Sequence, residues 1–125
     1  MYAIGEQIKL TVYMYPVNPC TVNHDLNVFT DNHRSVITLK SHHSFSFAVV
    51  AIGALLVGSI VHTHAEEDKD LEKGEVTGYF QYGGSTVIAV FPKDTVAWDQ
   101  DLVANSEKSI ETVVTMGERI GTFTL

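Results

Sequence analysis

The sequence predicts a mainly β fold of the β-rich α+β class, built from antiparallel sheets that resemble a barrel-sandwich core. Short runs rich in Val, Ile, Thr, Tyr and Phe recur along the chain, and Asn, Asp, Gly or Pro separate them, as in strands joined by turns. Helix signals occur in one short segment near residues 101–108, where Asp99 or Asp101 provides an N-cap. We expect Leu102 and Val103 of this helix to face the core.

Eight runs have the composition of strands, and the polar segments 23–33, 66–75 and 91–109 between them have the composition of loops. The second of these, a charged segment closed by Gly74, is typical of a solvated hairpin tip. The predicted strands are LTVYMYPV at 10–17, SVITLK at 35–40, FSFAVVAI at 45–52, LLVGSIVHTH at 55–64, VTGYFQY at 76–82, STVIAVF at 85–91, TVVTM at 112–116 and IGTFTL at 120–125.

Length and composition favour a single globular domain over residues 1–125. Hydrophobic residues make up 45% of the 125 residues and charged residues 18%, a balance typical of one packed domain of about 100–150 residues. The net charge of −7 excludes nucleic acid as a partner, because binding to a phosphate backbone depends on clustered Lys and Arg. Cys20 is the single cysteine, which excludes an internal disulfide and a zinc ribbon.

One apolar stretch, residues 45–61, has to be assigned either to the membrane or to the core. It falls short of the roughly 20 apolar residues that a spanning helix needs, and Gly53, Gly58 and Ser59 interrupt it. Its enrichment in Val and Ile favours two buried strands. The first residues of the chain also lack the basic and apolar segments of a targeting signal.

The residues Gly83, Gly84, Ser85 and Thr86 carry the candidate chemistry. One interpretation is a tight hairpin turn, because both glycines tolerate positive φ. In the other, a strained backbone exposes the Gly84 carbonyl carbon to the Ser85 hydroxyl. Attack gives an ester, elimination leaves dehydroalanine, and hydrolysis yields a pyruvoyl group, which acts as an electron sink much as pyridoxal phosphate does. A serine normally needs an adjacent base for such an attack.

The segment KGEVTGYFQYGGSTVIAVF at residues 73–91 resembles the cleavage site of phosphatidylserine decarboxylases. Further blocks resemble the same family in the family's order, so that the resemblance covers most of the chain. These are YPVNPC at 15–20, NVFTDNHR at 27–34, VVAIGALLVGSIVHTH at 49–64 and DLVANSEKSIETVVTMGERIG at 101–121.

The resemblance implies a proenzyme that cleaves itself between Gly84 and Ser85, with Gly83 and Thr86 as the supporting turn. Residues 1–84 would then be the end of the β chain, and residues 85–125 the α chain. A pyruvoyl group derived from Ser85 would form a Schiff base with phosphatidylserine and release CO₂ to give phosphatidylethanolamine. Such an enzyme is expected at a membrane surface as a peripheral protein: the mitochondrial inner membrane or endomembranes in a eukaryote, the cytoplasmic membrane in a bacterium. The oligomeric state is left open.

The chain departs from the family pattern ahead of the VNP block. Family members carry a His-containing segment and an earlier Asp there, believed to serve the serine as base and orienting residue, and neither is present. We therefore expect a truncated C-terminal part whose missing partner is the upstream part of the proenzyme. Because Ser85 lacks its base, the chain alone is expected to cleave poorly or not at all.

The histidines do not fill the missing role. His62 and His64 are two residues apart and would share one face of a strand, but without a third ligand they predict no metal site. The adjacent His42 and His43 are expected in a loop.

Two other functions compete with the decarboxylase. A biotinyl- or lipoyl-carrier-like binding module would explain the small β domain, but it requires a lysine at a hairpin tip, where this chain has GGST. A non-catalytic β-domain remnant follows from the missing base. Only the enzyme makes Ser85 indispensable.

Overall fold

Nine strands and three short helices make up the secondary structure of the described residues. The computed structural model describes residues 2–10, 13–63 and 69–124. In chain order the elements are β1 (Tyr2–Leu10), α1 (Pro19–Val22), α2 (Val28–Asp31), β2 (Arg34–Lys40), β3 (Ser46–Ile52), β4 (Ile60–His62), β5 (Lys69–Asp70), β6 (Gly78–Phe80), β7 (Thr86–Val90), β8 (Val96–Trp98), α3 (Gln100–Glu107) and β9 (Gly121–Phe123).

The strands form one five-stranded sheet in the order β5-β1-β2-β3-β7 and two separate pairs, β4 with β6 and β8 with β9. All of these pairings are antiparallel. The five-stranded sheet ends at β5 and β7, so the described strands do not close into a barrel. The predicted β-rich α+β fold with antiparallel sheets is confirmed.

The chain divides into two compact units, residues 1–90 and residues 91–125. The first contains β1 to β7 and the buried apolar core, and the second contains β8, α3 and β9. The single domain over residues 1–125 stays a prediction. The buried apolar residues are Val28, Leu39, Phe47, Ile52, Ala54 and Leu71.

In the second unit, α3 confirms the helix predicted near residues 101–108, but two details were wrong. Asp99 occupies the N-cap position without a side-chain capping bond. Its carboxylate instead pairs with the Arg119 guanidinium at 2.9 Å, because the chain returns past the helix start toward β9. Leu102 and Val103 line an open apolar groove of about 590 Å³, and α3 contains no buried residue.

Three predicted strand segments were wrong. Within 10–17, the described residues 13–17 make a single isolated bridge, from Tyr13 to Asn32, because Pro16 has no N–H for a ladder. Residues 54–57 form a tight turn, with Leu56 at φ 68°, so the strand predicted from 55 begins at Ile60. Residues 112–116 pair with no strand among the described residues.

The apolar stretch 45–61 forms β3, the turn and the start of β4, which confirms its assignment to strands. Among the described residues, no helix has the length and apolar character needed to cross a membrane. His42 and His43 lie in the turn between β2 and β3, as predicted. Gly74 adopts φ 87° near the end of the charged segment 66–75, of which residues 66–68 lie outside the described residues.

Asn32 joins three segments of the first unit at the end of β3. The residue is fully buried. Its side-chain amide donates to the carbonyls of Tyr15 at 2.8 Å and Gly53 at 2.9 Å, and its side-chain oxygen accepts from the Tyr15 N–H at 2.9 Å. Asn32 therefore replaces the backbone ladder where the strands end, and it holds Gly53 in place.

We expect Asn32→Ala to lower the free energy of unfolding by about 3 kcal/mol, because three hydrogen bonds are lost and buried backbone groups are left unpaired. Asn27→Ala is the matched control, since Asn27 is exposed and makes no side-chain cap bond at the start of α2. Urea unfolding followed by circular dichroism measures both. Equal destabilisation by the two substitutions would contradict the role of Asn32.

Candidate functional site

The segment that contains Ser85 connects two different sheets. It leaves β6, which pairs with β4, and enters β7, which pairs with β3. The interpretation of Gly83 and Gly84 as an ordinary hairpin turn was therefore wrong, since β6 and β7 do not pair with each other. The same finding counts against a carrier domain, because the residues that would form its tip lie in a crossover.

The backbone of this crossover is strained just before Ser85. Tyr82 has φ 65°, which a bulky residue rarely adopts, and Gly83 has φ 136°, which is open mainly to glycine. The Tyr82 conformation costs about 1–3 kcal/mol and persists only where the surroundings enforce it, whereas glycine adopts positive φ without this cost. An unfavourable backbone conformation therefore lies at Tyr82, three residues before Ser85, and strain at the Gly84–Ser85 bond itself stays a prediction.

The Ser85 hydroxyl is buried and unpaired. Its Oγ atom has no hydrogen-bond partner among the described residues, although the residue as a whole is half-buried. Burying a hydroxyl without a partner costs about 1–3 kcal/mol. Because native structures satisfy nearly all buried polar groups, an unpaired one calls for a specific explanation, and a catalytic role is one of the few available.

Residues 57–59 hold the crossover from the other side. The Ser59 hydroxyl donates to Gln81 Oε1 at 2.8 Å, and the Gln81 N–H donates to the Ser59 carbonyl at 3.0 Å. A Cβ atom on Gly83 would lie 3.3 Å from Val57 Cγ2, so the turn packs directly against this segment. The strained backbone is thus fixed by contacts on its upstream side.

The register of the main sheet places Gly53 and His33 in line with Ser85. Ile52 pairs with Arg34 on one side and with Thr86 on the other. Continued by one residue, the register aligns His33, Gly53 and Ser85, and the Gly53 N–H donates to the His33 carbonyl at 2.7 Å. A Cβ atom on Gly53 would lie 3.1 Å from that carbonyl oxygen, so the close approach favours glycine.

Alternate residues of a strand share one face, which defines the surface on which Ser85 lies. We call it the Ser85 face. It consists of three rows across β2, β3 and β7: His33, Gly53 and Ser85; Ser35, Ala51 and Val87; Ile37, Val49 and Ala89.

The comparison with known families decides the identity of the chain. The model of the phosphatidylserine decarboxylase family matches residues 4–122. The chain belongs to the phosphatidylserine decarboxylase family. The resemblance of the sequence blocks is thereby confirmed. No solved structure matches the chain significantly.

Curated relatives in this decarboxylase family are much longer. The chain is 48% identical over 118 residues to phosphatidylserine decarboxylase proenzyme 2 of Oryza sativa subsp. japonica, covering 94% of this chain and 19% of that protein. Identity to proenzyme 3 of Schizosaccharomyces pombe is 42%, over 94% and 12% of the two chains. Identity to the proenzyme of Fusobacterium nucleatum is 38%, and the match covers 94% of this chain and 39% of that protein. The chain therefore spans less than half of these relatives.

The blocks that resemble the decarboxylase family build the site of this member. Within YPVNPC, Asn18 caps α1 by accepting from the Thr21 N–H at 2.9 Å, and Pro19 begins that helix. NVFTDNHR supplies Asn32 and His33, while VGSI supplies the segment that contacts Gly83. The roles of Gly83, Gly84, Ser85 and Thr86 themselves stay predictions.

One polar pair on the Ser85 face was not foreseen. His62 Nε2 lies 2.7 Å from the hydroxyl oxygen of Ser35, which is fully buried. The pair joins β4 to β2 and so links the β4–β6 pair to the main sheet. The sequence carried a signal for it, since His62 belongs to a family block, but the partner of His62 is 27 residues away.

Metal ligation by His62 was considered with His64, which lies outside the described residues. Among the residues that the structure describes, no three His, Cys, Asp or Glu side chains are grouped closely enough to hold a metal ion. His62 instead forms a hydrogen bond with Ser35.

The two buried serines provide a matched test. We expect Ser85→Ala to leave the free energy of unfolding unchanged or to raise it by up to about 1 kcal/mol, because an unpaired buried hydroxyl is removed. Ser35→Ala should lower it by about 1 kcal/mol, because the bond to His62 is lost. Thermal and urea unfolding of both variants measure the difference. Ser85→Ala destabilising the chain as much as Ser35→Ala would show that Ser85 is paired in solution.

Proposed function

We propose that this chain is the C-terminal part of a phosphatidylserine decarboxylase proenzyme that cleaves itself between Gly84 and Ser85. Residues 1–84 end the β chain, and residues 85–125 form the α chain. The assembled enzyme converts phosphatidylserine into phosphatidylethanolamine and CO₂. It acts at a membrane surface as a peripheral protein, because its substrate is a lipid.

The buried, unpaired Ser85 hydroxyl is the observation that carries the proposal. It directly follows the peptide bond that would break, and the strained backbone of Tyr82 and Gly83 lies immediately upstream. A hydroxyl with neither solvent access nor a partner among the described residues has no hydrogen bond there to lose when it attacks. The residue thus fits the precursor of a pyruvoyl group in its chemistry and in its surroundings.

The cleavage balances with one water consumed and one ammonia released. Ser85 Oγ attacks the Gly84 carbonyl carbon, the Gly84–Ser85 C–N bond breaks, and an ester links the two residues. Loss of the Ser85 α proton then expels the Gly84 carboxylate and leaves dehydroalanine. Its enamine tautomerises to an imine, which water hydrolyses to the α-keto group with release of ammonia.

The pyruvoyl carbonyl supplies an electron sink for the carbon that loses CO₂. The residues of this chain provide its setting. β7 anchors the new α-chain terminus through its pairing with β3. Residues 57–59 hold the turn on its upstream side through the bond between Ser59 and Gln81 and the packing of Val57 against Gly83. The fixed position of Gly53 leaves space without a side chain between Ser85 and His33.

The base that activates Ser85 comes from the upstream part of the proenzyme. Supporting this, Oγ has no hydrogen-bond partner among residues 13–63 and 70–124, although a serine attack at neutral pH normally requires one. The upstream part is therefore a functional partner as well as a structural one.

A chimera tests the proposal. The segment of the Fusobacterium nucleatum proenzyme that matches this chain is replaced by this chain, and intact masses are measured. We expect two products whose masses sum to the chimera plus water minus ammonia. The 125-residue chain alone and the Ser85→Ala chimera should each remain a single species. A folded chimera that stays intact, or cleavage that survives Ser85→Ala, would refute the proposal.

The strained turn predicts different effects for the two glycines in the chimera. Gly83→Ala should slow cleavage by about tenfold or more, because φ 136° disfavours alanine and its Cβ would press on Val57. Gly84→Ala should slow it less, because a Cβ there meets no atom within 4 Å. Time courses of product formation by mass spectrometry measure both. A larger effect at Gly84 than at Gly83 would show that the strain does not assist cleavage.

A further inference from the structure

A cavity of about 270 Å³ lies on the Ser85 face, between the main sheet and the β4–β6 pair. It belongs entirely to the first unit. Three strands of the main sheet form one side and the strands β4 and β6 form much of the other. The lining residues are Ile37, Val49, Ala51, Ile60, Val61, His62, Thr77, Gly78, Tyr79, Phe80 and Val87.

The cavity begins one step along β7 from the cleavage site. Ser85 and Val87 are two residues apart on one face, which corresponds to about 6.6 Å along a strand. Val87 pairs with Ala51, and both line the cavity. A ligand whose reacting end lies at Ser85 therefore has this cavity directly beside it.

The chemistry of the lining fits a hydrocarbon chain. Aliphatic and aromatic side chains dominate both sides. The imidazole of His62 is already bonded through Nε2 to the buried Ser35 hydroxyl. A cavity with few convergent polar partners holds water poorly, and apolar ligands occupy such space readily.

The cavity is accessible from the edge of the sheet. β7 pairs with β3 alone among the described strands, and Val87 is 55% exposed. The cavity volume of about 270 Å³ falls just below the range of drug-sized ligand sites, which runs from about 300 to 1,000 Å³. The cavity therefore accommodates part of one acyl chain and not a whole diacyl lipid.

We propose that this cavity receives one acyl chain of the phospholipid whose headgroup reacts at Ser85. This rests on the proposed function, which supplies a diacyl lipid as the ligand and Ser85 as the position of its headgroup. By binding the acyl chain, the cavity then fixes the position of the lipid relative to Ser85. The cavity binds the acyl chain whatever headgroup the lipid carries.

Binding of short-chain lipids to the uncleaved 125-residue chain tests the proposal. The probes are dihexanoyl phosphatidylserine, dihexanoyl phosphatidylcholine and glycerophosphoserine, which has the headgroup without acyl chains. Titrations followed by calorimetry and by ¹⁵N amide shifts should show binding of both dihexanoyl lipids, with shifts at residues 49–51 and 87, and weaker or no binding of glycerophosphoserine. Equal binding of glycerophosphoserine, or no lipid binding, would overturn it.

Two substitutions on β7 provide the specificity control. Val87→Phe fills the entrance to the cavity, and Val90→Phe changes a residue that is equally exposed but faces the opposite side. We expect Val87→Phe to weaken lipid binding by about tenfold and Val90→Phe to leave it unchanged. Equal affinity of the two variants would place the lipid elsewhere.

A second pair of substitutions distinguishes loss of lipid binding from misfolding. Ala51→Met fills the cavity from β3, and Ala48→Met on the same strand points to the opposite face. Of these two substitutions, only Ala51→Met should weaken lipid binding, and the comparison is made between variants that unfold cooperatively. Cleavage of the chimera is measured separately. Lipid binding without cleavage would refute the proposed function alone, and cleavage without lipid binding would refute the acyl-chain site alone.

Discussion

The antiparallel pairing of β3 with β7 is the constraint on which the candidate site depends. It fixes the residue after the strained turn against the end of β3, where Asn32 holds the Gly53 carbonyl. Without that pairing, the contacts with residues 57–59 would hold only the upstream side of the crossover, and its serine would reach solvent. With it, a hydroxyl is held beside its own peptide bond and away from water.

In the part of the chain that the structure describes, the buried side-chain polar groups around this constraint are hydrogen-bonded with one exception. The amide of Asn32 makes three hydrogen bonds, and the Ser35 hydroxyl bonds to His62. Ser85 Oγ has no such partner among the described residues. Since the surrounding polar groups are well paired, the exception is local, and it coincides with the residue whose chemistry the family resemblance implies.

The sequence predicted the fold class, α3, most strands near the site and the family, because strand composition and family blocks are local signals. It did not predict the sheet to which each strand belongs, so the Gly83–Gly84 segment also fitted a hairpin. The bond between Ser35 and His62 and the alignment of His33, Gly53 and Ser85 depend on register between distant segments. The strand expected at 112–116 failed because composition does not supply a partner strand.

The chemical state of the first residue of the fragment 85–125 tests the central claim most directly. The fragment is isolated from the chimeric proenzyme, treated with a hydrazide reagent that reacts with ketones, and examined by tandem mass spectrometry. We expect a hydrazone on residue 85 and no free amino group at that terminus. A fragment that begins with an unmodified serine amine, or a scission at any other bond, would contradict it.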